Sequence, residues 1–199
     1  NTTGTANLAA GTNAMACNTT GAYNVAVGAN AGLLHTTGGN NIFVGDSAGR
    51  QNTTGCKNTG LGSGALYGAG GSGTVMQDNA AVGYRSLYTN TTGNSNAAFG
   101  NNTLYANTTG CINTAIGKDA LGLTTTGQQN TALGAAAGYN VTTGDNNLLV
   151  GRNAGRSQSP ATITTGDNNI VLGNNTHTNA YIKIDWTVTS DLRDKTNIE

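Results

Sequence analysis

Thr108-Thr109-Gly110-Cys111-Ile112-Asn113-Thr114-Ala115-Ile116-Gly117-Lys118-Asp119-Ala120-Leu121-Gly122-Leu123-Thr124 is one complete unit of this chain, and Thr125 opens the next. The Thr-Thr-Gly triplet occurs nine times, usually 17 residues apart. Around it runs a fuller pattern, Thr-Thr-Gly-x-x-Asn-x-Ala-Φ-Gly-x-x-Ala-Leu/Gly, in which Φ is a large apolar residue. Self-similarity at a fixed short period is the mark of a solenoid, whose single units cannot bury an apolar face alone. The chain is therefore expected to be all-β, a parallel β-solenoid of about ten 17-residue coils, and a rod rather than a globular catalyst.

Alignment on the glycine after Φ places it at Gly11, Gly28, Gly45, Gly62, Gly83, Gly100, Gly117, Gly134, Gly151 and Gly173. Four residues before each stands an asparagine, from Asn7 through Asn96, Asn113 and Asn130 to Asn169. Stacked rungs would bring these amides into one ladder. The glycine suits a corner with positive φ, and Thr-Thr-Gly is turn chemistry, with hydroxyls bonding local backbone. The Φ residues (Val27, Val44, Leu61, Val82, Phe99, Ile116, Leu133, Val150, Leu172) are expected to point into the coil. The alanine before Φ then points out, against a second chain. A second strand is expected over the Ala-Leu segments, such as Ala65-Leu66-Tyr67 and Ala120-Leu121. Helices are not expected, because Gly, Thr and Asn are dense and a 3.6-residue period is missing. So few apolar side chains per unit cannot offset the entropy of ordering it. Stacking and association with other chains are both expected.

Composition narrows the function. Net charge is zero over 199 residues and only 9% are charged, so no basic patch exists to neutralise phosphates, and nucleic acid is not an expected partner. Apolar runs are too short for membrane insertion. No secretory leader is recognisable in a chain that opens mid-repeat at Asn1, as a fragment would. Cys56 and Cys111 occupy one slot three rungs apart, hence about 14 Å at the usual strand spacing, too far for a disulfide. Cys17 stands elsewhere, and free thiols suit assembly in a reducing compartment. His35 and His177 are isolated, so no metal and no cofactor are expected. The glycine-rich stretch after Tyr67 lacks the lysine of a phosphate loop. Asn-Thr-Thr sequons at Asn1, Asn18, Asn52, Asn90 and Asn107 read as by-products of the repeat.

The period breaks twice, with extra residues around Gly68–Gly73 and Ser157–Ala161, and repeats end after Gly173. Insertions at one edge can form binding loops, or simply reflect how cheaply corners lengthen. The organisation read from this is a repeat domain at 1–178, a linker strand at 179–189 and a charged segment at 190–199. In that last segment, Ser190-Asp191-x-Arg193-x-Lys195-x-Asn197-Ile198 resembles the opening motif of the endosialidase-type intramolecular chaperones, C-terminal autoproteolytic domains of phage tail fibres and tailspikes. The Asn-x-Ala-Φ-Gly repeats resemble the heads of trimeric autotransporter adhesins. The resemblance implies a left-handed β-roll, a homotrimer with two identical chains as partners, and a place in a virion tail fibre or, alternatively, on a bacterial surface. It also implies Ser190 as nucleophile and Lys195 as its assisting base, cutting the Thr189-Ser190 bond only when the whole chaperone is present. A Ser-Asp pair is equally an ordinary helix N-cap. Beyond such self-cleavage, no enzyme is expected.

Tyr67, Tyr88, Tyr105 and Tyr139 share the slot five residues after the corner glycine, where Arg50 and Arg156 also fall. An aromatic column can stack on sugar rings of a host cell-surface glycan, or cover neighbouring rungs and a partner chain. The leading expectation is a structural fibre segment contributing to host attachment. A glycan-binding adhesin head and an autoproteolytic maturation segment are the alternatives. Ice binding would need two parallel threonine columns, whereas adjacent threonines face opposite ways.

Overall fold

The computed structural model describes residues 2–68, 74–156 and 162–178. It is a parallel β-solenoid, with no helix among the described residues. Ten three-residue strands form it: β1 (Leu8–Ala10), β2 (Val25–Val27), β3 (Ile42–Val44), β4 (Thr59–Leu61), β5 (Ala80–Val82), β6 (Ala97–Phe99), β7 (Thr114–Ile116), β8 (Thr131–Leu133), β9 (Leu148–Val150) and β10 (Ile170–Leu172). They lie in one sheet in chain order. The register never slips. Val44 pairs with Leu61, Leu61 with Val82, and so on through Phe99, Ile116 and Leu133. The linker strand, Ser190, Lys195 and both insertions (69–73 and 157–161) lie outside the described residues.

The asparagine ladder forms as expected. The Asn113 backbone N–H and Nδ2 both donate to Asn96 Oδ1, at 3.0 and 3.1 Å. Asn130 does the same to Asn113 Oδ1, at 3.0 and 3.2 Å. Nδ2 generally spends its second proton on the glycine carbonyl of the next Thr-Thr-Gly corner, as Asn113 does with Gly127 O at 2.9 Å, while Asn58 uses Met76 O and Asn169 uses Asp167 O. The ladder runs unbroken from Asn7 to Asn169. Buried amides are stable here because every donor and acceptor is used.

The expected directions of the strand side chains are overturned. The Φ residues point outward, not into the coil: Val44, Leu61, Phe99, Ile116, Leu133 and Leu172 are all exposed. The alanine before Φ points inward instead, and Ala26, Ala81, Ala98, Ala115 and Ala132 are fully buried. The cause is the pleat. Side chains two apart share a face, so the buried asparagine and that alanine face inward together and Φ must face out.

The Ala-Leu segment, moreover, is not a second strand. Leu66, Leu87, Leu104 and Leu121 each adopt left-handed backbone, with φ of 52°, 50°, 50° and 49°. Alternate N–H groups turn back locally, as Ala120 N to Gly117 O at 3.2 Å, while the others reach the next rung, as Leu121 N to Ala137 O at 2.9 Å. Half the ladder survives, and the wall is built of turns.

These leucines fill the coil opposite the strand alanines, and the Leu/Gly alternation is volume compensation within and between rungs, since Gly32 and Gly138 share rungs with Ala26 and Ala132 but abut Phe43 and Leu149 of the next rung. Where the strand brings a large side chain inward, the turn carries glycine. Phe43 faces Gly49, and a Cβ on Gly49 would stand 2.3 Å from Phe43 Cδ1. Leu149 faces Gly155, whose Cβ would stand 2.8 Å from Leu149 Cδ2. Conversely, β4 carries Gly60 and its turn carries Leu66. Phe43→Ala alone is expected to lose about 3–5 kcal/mol. Gly49→Leu alone overpacks the rung and costs about 1–3 kcal/mol. The double variant rebuilds the Ala/Leu rung found at β5 to β7, so denaturant midpoints should show strong favourable coupling. Additive losses would reject the compensation.

A second inward column accompanies the ladder. Asn18, His35, Asn52, Asn90, Asn107, Thr124 and Val141 are all buried. Asn90 Nδ2 donates to Gly93 O at 2.8 Å and Asn107 Nδ2 to Gly110 O at 3.0 Å, capping the corners. His35 joins this column, with Nε2 2.8 Å from Gly38 O and Nδ1 3.1 Å from Asn52 O. These four sequon asparagines are thus structural. The Thr-Thr-Gly corner bonds across rungs rather than locally. Thr108 O accepts from Thr91 N, Thr92 N and Gly93 N at 2.9, 3.2 and 3.3 Å, and from Thr91 Oγ1 at 2.9 Å.

Candidate functional site

Two surfaces stand out. The first is the outer face of the sheet, where strict register aligns Val27, Val44, Leu61, Val82, Phe99, Ile116, Leu133, Val150 and Leu172 into one apolar column. Each strand's first residue adds a second column, with Leu8, Ile42, Leu148 and Ile170 its most exposed apolar members. Single exposed apolar residues are ordinary, but a continuous stripe at every rung is not.

The second surface is the tyrosine column. Each residue follows a left-handed leucine or glycine, which turns the chain so that the next side chain leaves the wall. Tyr67 and Tyr88 stack with centroids 4.8 Å apart and planes 12° apart, and Tyr88 and Tyr105 at 5.4 Å and 5°. These spacings follow the parallel-strand repeat. Burial raises the Tyr88 phenol above its ordinary pKa, with Tyr67 adding and Arg85 opposing. That phenol therefore stays neutral across the physiological range.

Arginines dress the column. The Arg50 guanidinium lies 5.6 Å from the Tyr67 centroid, and its Nη1 donates to Tyr67 Oη at 2.9 Å. Arg156 covers Tyr139 at 4.7 Å. Arg85 reaches both Tyr84 and Tyr88, at 5.0 and 5.3 Å. Such contacts immobilise long side chains over ring faces. The expected slot thus holds its four tyrosines, but only three of them stack. The rung between Tyr105 and Tyr139 carries Gly122 there instead. A cleft of about 270 Å³ opens at this rung, lined by Arg85, Asn102, Tyr105, Asp119, Leu123 and Tyr139.

Arg85, Asn102 and Asp119 were not singled out in the sequence. They stand two residues after their corner glycines, in a slot whose composition varies from rung to rung. Only the glycine interrupting the tyrosine slot could have signalled the cleft. Among the described residues, no three His, Cys, Asp or Glu side chains cluster to hold a metal. No described helix is long and apolar enough to cross a membrane. All three cysteines are free. No family model, no curated protein and no solved structure matches the chain.

Proposed function

We propose that this chain is a segment of a homotrimeric phage tail fibre, associated through the outer face of its sheet and contributing to host-surface attachment. The observation that carries the association is the nine-residue apolar column on β2 to β10. A partner for that column must offer apolar groups with the same rise per rung, and a second copy in register does so by construction. Burying the column would supply the apolar area that a coil lined mainly by alanine and asparagine lacks. The subunit number and the phage setting rest on the likeness of the repeats to trimeric adhesin heads and of Ser190 to Ile198 to a tail-fibre chaperone motif.

Native mass spectrometry of residues 1–199 should give three times the chain mass. Phe99→Glu combined with Ile116→Glu should shift it to the single-chain mass, because unpaired carboxylates would be buried between chains. Thr109→Glu, on an exposed corner, should leave the number of chains unchanged. A stably folded single wild-type chain would reject the association.

A second reading gives the tyrosine column to a host glycan. It is favoured by ordered, half-buried rings whose outer edges remain open beside arginine, asparagine and aspartate side chains. Sugar-binding sites pair an aromatic platform with hydrogen-bonding groups in this manner. The two readings are compatible, since the column leaves the turn wall and not the sheet.

A further inference from the structure

We propose that the break at Gly122 is a binding site for one pyranose ring, stacked on Tyr105 and held by Asp119, Asn102 and Arg85. This rests on the reading of the tyrosine column as the glycan-contacting surface, and locates the contact at a single rung.

Most ring faces of the column are already used. Tyr88 is stacked between Tyr67 and Tyr105, and Arg50 closes the Tyr67 end of the stack. Arg156 lies over Tyr139. What remains is the Tyr105 face turned away from Tyr88, because the next rung offers Gly122 where a fourth ring would continue the stack. Tyr139 forms the opposite wall and leans across this rung: a Cβ on Gly122 would stand 2.8 Å from its Cε2 and 2.9 Å from its Cδ2. The cleft is therefore bounded by aromatic surface on two sides.

Its remaining lining is polar and mixed in kind. Asn102 Nδ2 donates to Asp119 Oδ1 at 3.4 Å, and Lys118 Nζ lies 3.9 Å from Asp119 Oδ2. These long contacts leave carboxylate lone pairs available to hydroxyl donors. The Arg85 guanidinium, packed on Tyr84 and Tyr88, brings donors to the same edge. A ring with an apolar C–H face and an equatorial rim of hydroxyls meets both requirements. A flat aromatic ligand would use the walls and waste the carboxylate. The volume of about 270 Å³ falls below the roughly 300 Å³ at which drug-sized pockets begin, so the cleft itself holds one sugar ring.

The test uses residues 1–199 and three probes: methyl β-D-glucopyranoside, methyl β-D-galactopyranoside and methyl α-D-mannopyranoside, by saturation-transfer NMR. At least one should receive saturation on its ring C–H protons. Gly122→Tyr should abolish that transfer, because a ring in this slot continues the stack and fills the cleft. The slot accepts tyrosine on three rungs in a row when the insertion is ignored, Gly122 has no positive φ, and the Tyr139 ring edge that its Cβ would meet is the far end of a side chain that can swing aside, so the variant should fold. Asp119→Asn should weaken transfer at least severalfold, and it preserves side-chain size if Gly122→Tyr proves unstable. Tyr67→Ala, at the far end of the stack, should leave transfer intact. Transfer that survives both Gly122→Tyr and Asp119→Asn overturns the site. If it also vanishes in Tyr67→Ala, the column as a whole binds sugar and the Gly122 assignment is wrong. No transfer to any probe in the wild type overturns both readings, whereas a subunit number that changes in Gly122→Tyr overturns the site alone, marking the cleft as a contact between chains.

Discussion

Gly117→Ala should be among the most damaging single substitutions in this protein, costing more than about 4 kcal/mol. Gly117 has φ of 131°, a conformation that side chains with a Cβ rarely adopt. Its Cβ would stand 2.6 Å from the carbonyl carbon and oxygen of Gly134, and 3.0 Å from Ala135 N. These are backbone atoms of the next rung, so no side chain can rotate away. Moving them would break Gly117 N to Phe99 O and Gly134 N to Ile116 O, both 2.8 Å. The loss is topologically central, because in a quasi-one-dimensional stack each rung is held only by its neighbours. Hydrogen exchange should therefore show protection lost around β6 to β8 and retained toward β2, alongside a lowered denaturant midpoint. Lys118→Ala is the control, since that side chain is 70% exposed and should change stability by less than about 0.5 kcal/mol. A Gly117→Ala chain with the wild-type midpoint and exchange pattern would show that the rungs can slide apart cheaply.

The rung repeat was legible because three constraints fall on fixed residues. Gly117 must be glycine for its φ and close approach, Asn113 must present both amide groups, and Gly110 must let Gly127 O come near. The first two appear in the sequence as unvarying letters, and the third fails only at Met76. The direction of Φ is also set by the spacing. Asn113 and Ala115 are two apart and share a face, whereas Ile116 is three from Asn113 and cannot join them. Size alone suggested placing isoleucine inside, but the pleat overrules size. Inside, the missing volume comes from Leu104 and Leu121 on the turn wall.

Those leucines explain the failed second strand. Left-handed backbone is uncommon for leucine, and single-sequence patterns therefore give little warning of it. Here the cost of φ near 50° is met by burying the whole side chain and retaining alternate rung-to-rung hydrogen bonds. The aromatic slot was visible from spacing, but its consequence was not. A column of tyrosines becomes a site only where it stops, and Gly122 reads in the sequence as one more glycine in a glycine-rich chain.

Asn113→Ala should cost about 3–5 kcal/mol, well beyond the loss of one hydrogen bond. Removing the amide leaves Asn130 N–H with no acceptor, because Asn113 Oδ1 is its partner at 3.0 Å. Asn130 Nδ2 keeps Gly144 O at 2.8 Å but loses its second acceptor. Gly127 O and Asn96 Oδ1 each lose a donor. All of this happens in a buried column that water cannot reach to compensate. Asn113→Asp isolates the donor half. Its carboxylate can still accept from Asn130, but it faces the Gly127 and Asn96 oxygens and is buried, so its folded-state pKa should rise above the unfolded value. A raised acid contributes stability that is present below the unfolded pKa and lost as pH rises through the folded one. Asn113→Asp should thus recover toward wild type on acidification, when its hydroxyl donates, while the deficit of Asn113→Ala relative to wild type stays constant with pH. Thr19→Ala is the surface comparison, since Thr19 Oγ1 donates to Thr36 O at 3.1 Å in an exposed position on a backbone without positive φ, and it should cost less than about 1 kcal/mol. If Asn113→Ala fell within 1 kcal/mol of wild type, the ladder would be a consequence of stacking rather than one of its causes.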